Sequence, residues 1–182
     1  LDKQQFSVSG RANFEEWKES HQPFHWIAEY YQIIHGNGGF DVIIGNPPYV
    51  GYTRKNKITK KAVVDYYRVE NLITLPTSNL YSFCIERSKS LINNLSKIGM
   101  IIPISAFANN SMKELQKLFK TNFSCLYIST FHQRPAQLFD GVLQRLSIFI
   151  AEKKAINNQT IYTSGIYRWY SETRIFLFQN LS

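Results

Sequence analysis

One junction constrains the fold more than any other: the apolar run Phe40 to Gly45 stops against Asn46-Pro47-Pro48-Tyr49. A short apolar run bounded by breakers predicts a buried strand. Proline has a fixed φ and no backbone N–H, so it cannot continue a hydrogen-bonded ladder. Two in succession make a stiff turn at the carboxyl end of the strand. In open α/β sheets that end is where ligands bind. The proline carbonyls point outward without local donors, and the asparagine side chain adds another acceptor oxygen. Two acceptors beside a tyrosine ring suit a planar amino group on an aromatic heterocycle, with two N–H bonds to give and one face to stack. The plain alternative is a strand-ending turn with a core tyrosine.

The rest of the chain alternates around this strand. Upstream, Phe24, Ile27, Tyr30, Tyr31 and Ile34 have helical spacing, opened by Pro23 and closed by Gly36. Downstream, residues 50–78 read as irregular and basic. Asn79 is expected to cap a helix reaching about Asn94, with Leu80, Cys84, Leu91 and Leu95 along one stripe. Gly99 to Ser105 predicts a buried strand. Ser111 to Glu114 reads as a capping box, whose helix presents Met112, Leu115, Leu118 and Phe119. Phe123 to Thr130 predicts a third strand. Leu143 to Lys153 predicts a fourth, with Leu146, Ile148 and Ile150 on one face. After Lys154 the chain turns polar and then shows aromatic, strand-like pieces. Strands alternating with helices predict an α/β layered sheet, mostly parallel.

With 182 residues and 44% apolar content the chain can bury a core. A formal charge of +8 points to polyanions, nucleic acid ahead of an anionic membrane surface. Arg54, Lys55, Lys57, Lys60 and Lys61 are the best candidates for phosphate contacts; the alternative is a solvated basic loop. Arg134 and Arg145 flank Phe139 and read more readily as solvent-facing. Cys84 and Cys125 form neither a zinc pattern nor a disulfide framework, which fits a reduced, cytoplasmic setting. No run approaches the roughly 18 apolar residues of a membrane span. His21, His25, His35 and His132 lack metal spacing, and His25 reads as a packed helix residue. Asp140 reads as a turn residue, and no Ser-His-Asp or paired-carboxylate set stands out.

Asn-Pro-Pro-Tyr after an apolar strand resembles the signature of amino-group methyltransferases that use S-adenosylmethionine. The stretch from Phe24 to Val50 is similar to the large adenine-specific DNA methyltransferases of restriction-modification and phage-defence systems. The likeness continues through Asn79 to Ile92, Gly99 to Phe107 and Arg134 to Ile150, and spans about residues 22–154. It implies a partial class I, Rossmann-like fold, mostly parallel with one antiparallel strand. Residues 1–154 would be the C-terminal half of a catalytic domain carrying the basic loop 50–78, and 155–182 would lead toward a target-recognition region.

The resemblance also implies roles. An adenine flipped from DNA would donate its amino protons to the Asn46 side-chain oxygen and the Pro47 carbonyl. Pro48 belongs to the same turn, Tyr49 would stack on the base, and Phe139 would form a second aromatic wall. Relatives read Asn/Asp-Leu-Tyr-x-x-Phe on the following helix, with Tyr81 and the final position near the cofactor; here that position is Cys84, with Phe83 one residue early. The Gly-rich turn that holds the rest of the cofactor is not found: the segment His35 to Phe40 follows a helix instead of a strand. The chain is therefore expected to need a missing N-terminal half, not to bind S-adenosylmethionine well alone, and to expose a sheet edge prone to self-association. Methylation of a protein glutamine amide by the same tetrapeptide, or a non-catalytic DNA-binding fragment, are the alternatives.

Overall fold

The computed structural model describes residues 16–20, 22, 24–133, 137–139, 143–154, 158–167, 169–170, 172–173 and 176. The apolar runs form five strands: β1 Phe40–Gly45, β2 Ile92–Pro103, β3 Cys125–Phe131, β4 Leu146–Glu152 and β5 Thr160–Tyr167. They make one sheet in the order β1-β2-β4-β3-β5. Parallel neighbours need a crossover, usually a helix. Helix α1, Leu80–Leu91, makes the crossover from β1 to β2, which pair in parallel. Helix α2, Lys113–Asn122, lies between β2 and β3 in the chain. Strand β4 then runs antiparallel to both β2 and β3, and β5 pairs parallel with β3. Four strands thus share one direction and β4 opposes them. This is a layered α/β sheet with one antiparallel strand, as expected, although β4 makes two of the four pairings antiparallel.

The core lies on the face that carries the helices. Tyr81 and Ile85 of α1 and Leu115, Leu118 and Phe119 of α2 cluster with Ile98, Met100 and Ile102 of β2 and Phe149 of β4. Burying each such side chain contributes about 1.5–3 kcal/mol. The four apolar positions expected to face inward from the second helix, Met112, Leu115, Leu118 and Phe119, are all buried. The opposite face is open. Register pairs place Ile44, Gly99, Ile150, Tyr127 and Tyr162 in one row across all five strands. In that row Ile44 is 82% exposed, and Tyr127 and Tyr162 stack with ring centroids 4.9 Å apart.

Several local expectations are corrected by this packing. β1 is not a buried strand: it is the last strand of the sheet on its side, and Val42 and Ile44 are exposed. The helix expected to reach Asn94 stops at Leu91, because Ile92 already pairs with Phe40; Leu95 is exposed instead of lying on a helical stripe. Gly39 makes that junction possible. Its φ is +129°, and a Cβ there would stand 2.5 Å from the Leu91 carbonyl oxygen. The upstream helix is an α-helical turn, Trp26–Glu29, followed by a π-helical turn, Gln32–Gly36. Pro23 lies outside the described residues. The Asn79 side chain makes no capping bond. The Ser111 capping box is also absent: a 3₁₀ turn, Asn110–Met112, precedes α2, and the Asn109 side chain accepts from the Ser111 N–H at 2.9 Å. On β4 Leu146, Ile148 and Ile150 do share one face, but it is the one turned away from the helices: Phe149 and Ala151 face the core, while Ile150 is exposed.

The basic stretch 50–78 is irregular, as expected, but it is tied down. Tyr52 is buried against Phe83, with ring centroids 5.2 Å apart. Its hydroxyl donates to the Tyr67 carbonyl at 3.1 Å and accepts from the Val69 N–H at 2.7 Å. Glu86 of α1 accepts from the backbone N–H of Ile73 and Thr74 and from the Thr74 hydroxyl, at 2.9, 2.8 and 2.7 Å. Hydrogen bonds to a charged group contribute about 1.5–3 kcal/mol each, so one carboxylate fixes the end of the loop onto the helix.

Candidate active site

The turn forms where β1 stops pairing. The last β1–β2 register pair is Gly45 with Met100, while β2 runs on to Pro103. Pro47 is buried; Asn46 and Pro48 are exposed. The chain folds back so that the Tyr49 hydroxyl reaches the Ile101 carbonyl at 2.8 Å and Asn46 Oδ1 at 2.6 Å. The Tyr49 ring is half-buried against the core and meets Tyr81 edge-on at 6.4 Å. Burial pushes the Tyr49 hydroxyl above its ordinary pKa, so it stays protonated at neutral pH.

Next to this turn is a cavity of about 320 Å³. Tyr49 and Tyr81 border it, with Asn79 ahead of α1, Ser105 just past β2, and Gln144 and Arg145 ahead of β4. Asn79 Oδ1 is buried and has no partner among the described residues. Sequence reasoning missed Asn79, which looked like a helix cap, along with Ser105 and Gln144. It also missed the Ile101 carbonyl, since no side-chain pattern marks a backbone acceptor. Arg145, read as solvent-facing, is exposed and also borders the cavity.

The other candidate residues separate into distinct places. Asn46, Pro47, Pro48, Tyr49 and Tyr81 come together. Cys84 does not join them: it borders a groove of about 790 Å³ along β1, with Phe40, Val42, Ile44 and Phe83. Burial raises the Cys84 thiol pKa, which keeps the sulfur neutral. Phe139 is 38% exposed and does not border the Tyr49 cavity. Arg134, Asp140 and His21 lie outside the described residues. His25 is exposed, its Nδ1 accepting from the Ala28 N–H at 3.4 Å, so it is not the packed residue expected.

Arg54, Lys55, Lys57 and Lys61 border one groove of about 660 Å³ with Ile58 and Tyr66, and Lys61 Nζ sits 5.3 Å from the Tyr66 ring centroid. Lys60 is in a left-handed conformation, with φ 58°, and is not part of that lining. Among the described residues no group of His, Cys, Asp and Glu could hold a metal ion, and no helix is long and apolar enough to cross a membrane.

Residues 2–139 match the family model described as Eco57I restriction-modification methylase. The chain belongs to this family. This methylase chain is 27% identical over 176 residues to a protein of Methanocaldococcus jannaschii, named as a predicted type II restriction enzyme and methyltransferase; the match covers 95% of the chain and 13% of that relative. It is 31% identical over 86 residues to the type II restriction enzyme and methyltransferase RM.Eco57I of Escherichia coli, covering 47% of the chain and 8% of the relative. The methylase chain thus spans a small part of the length of these relatives. In fold it is similar to a nuclease-deletion mutant of the Type ISP restriction-modification enzyme LlaGI, solved with a DNA substrate mimic. The TM-score is 0.63 at 18% identity, covering 78% of this chain and 14% of that one.

Proposed function

We propose that the enzyme containing this chain is a DNA methyltransferase that moves a methyl group from S-adenosylmethionine to the exocyclic amino group of an adenine flipped from the duplex. The observation that carries this is the turn Asn46 to Tyr49, held beyond the end of β1 by the Tyr49–Ile101 hydrogen bond, in a chain of a methylase family. Flipping costs a few kcal/mol. The amino nitrogen is a poor nucleophile because its lone pair is delocalised into the ring. Asn46 Oδ1 and the Pro47 carbonyl take its two protons, localise the lone pair and aim it; this is catalysis by positioning and electrostatics. Pro48 stiffens the turn and Tyr49 stacks on the base; Phe139, which does not border the Tyr49 cavity here, would have to move to close the other side. Residues 1–154 are the C-terminal half of the catalytic domain, and 155–182 lead toward target recognition.

The cofactor supplies an electrophilic methyl on a sulfonium. The described residues do not fit it by themselves. Tyr81 is 1% exposed and its hydroxyl lies 3.2 Å from Met112 Sδ, while Cys84 offers a neutral thiol in a mostly apolar groove. Neither pairs with a ribose or an amino-acid end. In this reading the ribose and amino-acid end of the cofactor are held by parts of the enzyme other than the described residues.

Incubating the full-length enzyme with unmethylated duplex and methyl-labelled S-adenosylmethionine, then digesting the DNA to nucleosides, tests the reading. Label is expected in N6-methyl-2′-deoxyadenosine. Label in cytosine would contradict it, and label confined to protein glutamine would favour amide methylation instead.

DNA engages the basic loop in this reading. Each neutralised phosphate contributes about 0.9 to the slope of log affinity against log salt. Replacing Arg54, Lys55, Lys57, Lys60 and Lys61 together with Ala is expected to flatten that slope by about 2 or more in fluorescence anisotropy titrations. An unchanged slope would place the phosphate contacts elsewhere.

A further inference from the structure

We propose that the Tyr49 hydroxyl, fixed on the Ile101 carbonyl, is a positioning group that holds the Asn46 amide with its oxygen turned toward the substrate amino group. The inference rests on the methyl-transfer reading above and adds to it what orients the acceptor. A tyrosine hydroxyl has one proton to give and two lone pairs to receive. Two oxygens stand within its reach, the Ile101 carbonyl at 2.8 Å and Asn46 Oδ1 at 2.6 Å. One proton cannot serve both fully. The Ile101 carbonyl can only accept. β1 ends its register one residue short of it, at Gly45 and Met100, so the hydroxyl takes the place of the next rung of the ladder.

The Asn46 amide is the partner that can adapt. A half-turn exchanges its oxygen and its NH₂, and the choice between them follows from the hydrogen-bond network. With the hydroxyl proton on Ile101, the stable choice turns Nδ2 to donate to the Tyr49 oxygen. Oδ1 then points away from Tyr49, free to accept a proton from an incoming amino group. The opposite choice would face that amino group with NH₂, a donor against a donor. Burial supports the arrangement by keeping the Tyr49 hydroxyl protonated. The ring is a separate matter: it stacks whether or not the hydroxyl is there.

A double-mutant cycle in the full-length enzyme separates the two roles. Tyr49→Phe keeps the ring and removes the hydroxyl. Single-turnover methylation is expected to fall about tenfold, a typical cost of one lost orienting hydrogen bond, with KM for DNA unchanged. In an Asn46→Asp background the carboxylate presents an acceptor oxygen whichever way it turns. Adding Tyr49→Phe there is expected to change the rate less than about twofold, since the coupling has been removed. An equal fall in both backgrounds, as a folding defect would give, or no fall in either, overturns the inference while leaving the methyltransferase reading standing. A wild-type enzyme that puts no methyl group on DNA overturns that reading and the inference with it.

Discussion

Replacing Asn46 with Ala in the full-length enzyme is expected to lower single-turnover methylation by about 10²-fold or more, with DNA affinity much less affected. On the proposed function the amino group of a flipped base would meet two acceptors at the end of β1, and only one of them, the Pro47 carbonyl, would survive the substitution. The lost bond tightens as the lone pair leaves the ring, so its absence is felt in the transition state more than in the bound complex. The fold should be spared. Asn46 is exposed, and the Tyr49 hydroxyl keeps its bond to Ile101 without it. Rapid-quench measurement with saturating DNA and cofactor checks this; near wild-type turnover would remove Asn46 from the chemistry.

The parts of this molecule that were legible in the sequence are those set by local rules. β1 could be read because the apolar residues Phe40, Val42, Ile43 and Ile44 lie close together just ahead of two prolines. The inward face of α2 could be read because Leu115, Leu118 and Phe119 keep helical spacing, with Met112 in the turn before it on the same side. What could not be read depends on which strand lies next to which. Leu91 ends α1 because Ile92 pairs with Phe40, and nothing in the residues around Asn94 announces a partner 52 positions upstream. Ile44 looks as buried as Ile98 in sequence, yet it is 82% exposed because it faces the open side of an edge strand. The candidate site shows the same division. Asn46 to Tyr49 was visible as a string, whereas Asn79, Ser105 and the Ile101 carbonyl reach it only through the sheet order. Cys84 sits on the same helix as Tyr81, but faces a different groove.

Calorimetric titration of this 182-residue chain with S-adenosylmethionine is expected to show no micromolar binding, whereas the full-length enzyme binds it in that range. The cofactor of a class I fold spans the carboxyl ends of several strands, and the Gly-rich turn that the resemblance implies for its ribose and amino-acid end is not formed by residues 35–40, which follow a helical turn. Tyr81 is committed to the core, and Cys84 contributes only a neutral thiol to a groove lined by Phe40, Val42 and Ile44. Each 1.4 kcal/mol of lost contact weakens binding about tenfold, so removing the polar half of the contacts takes a micromolar site to millimolar or beyond. A water-exposed groove makes this worse. Ile44, Val42 and the β1 edge face solvent here, so bonds formed beside them compete with water instead of forming in a closed, low-dielectric site. Stoichiometric micromolar binding by this chain alone would locate a complete cofactor site within it, and would require partners for the ribose other than those the strand ends provide.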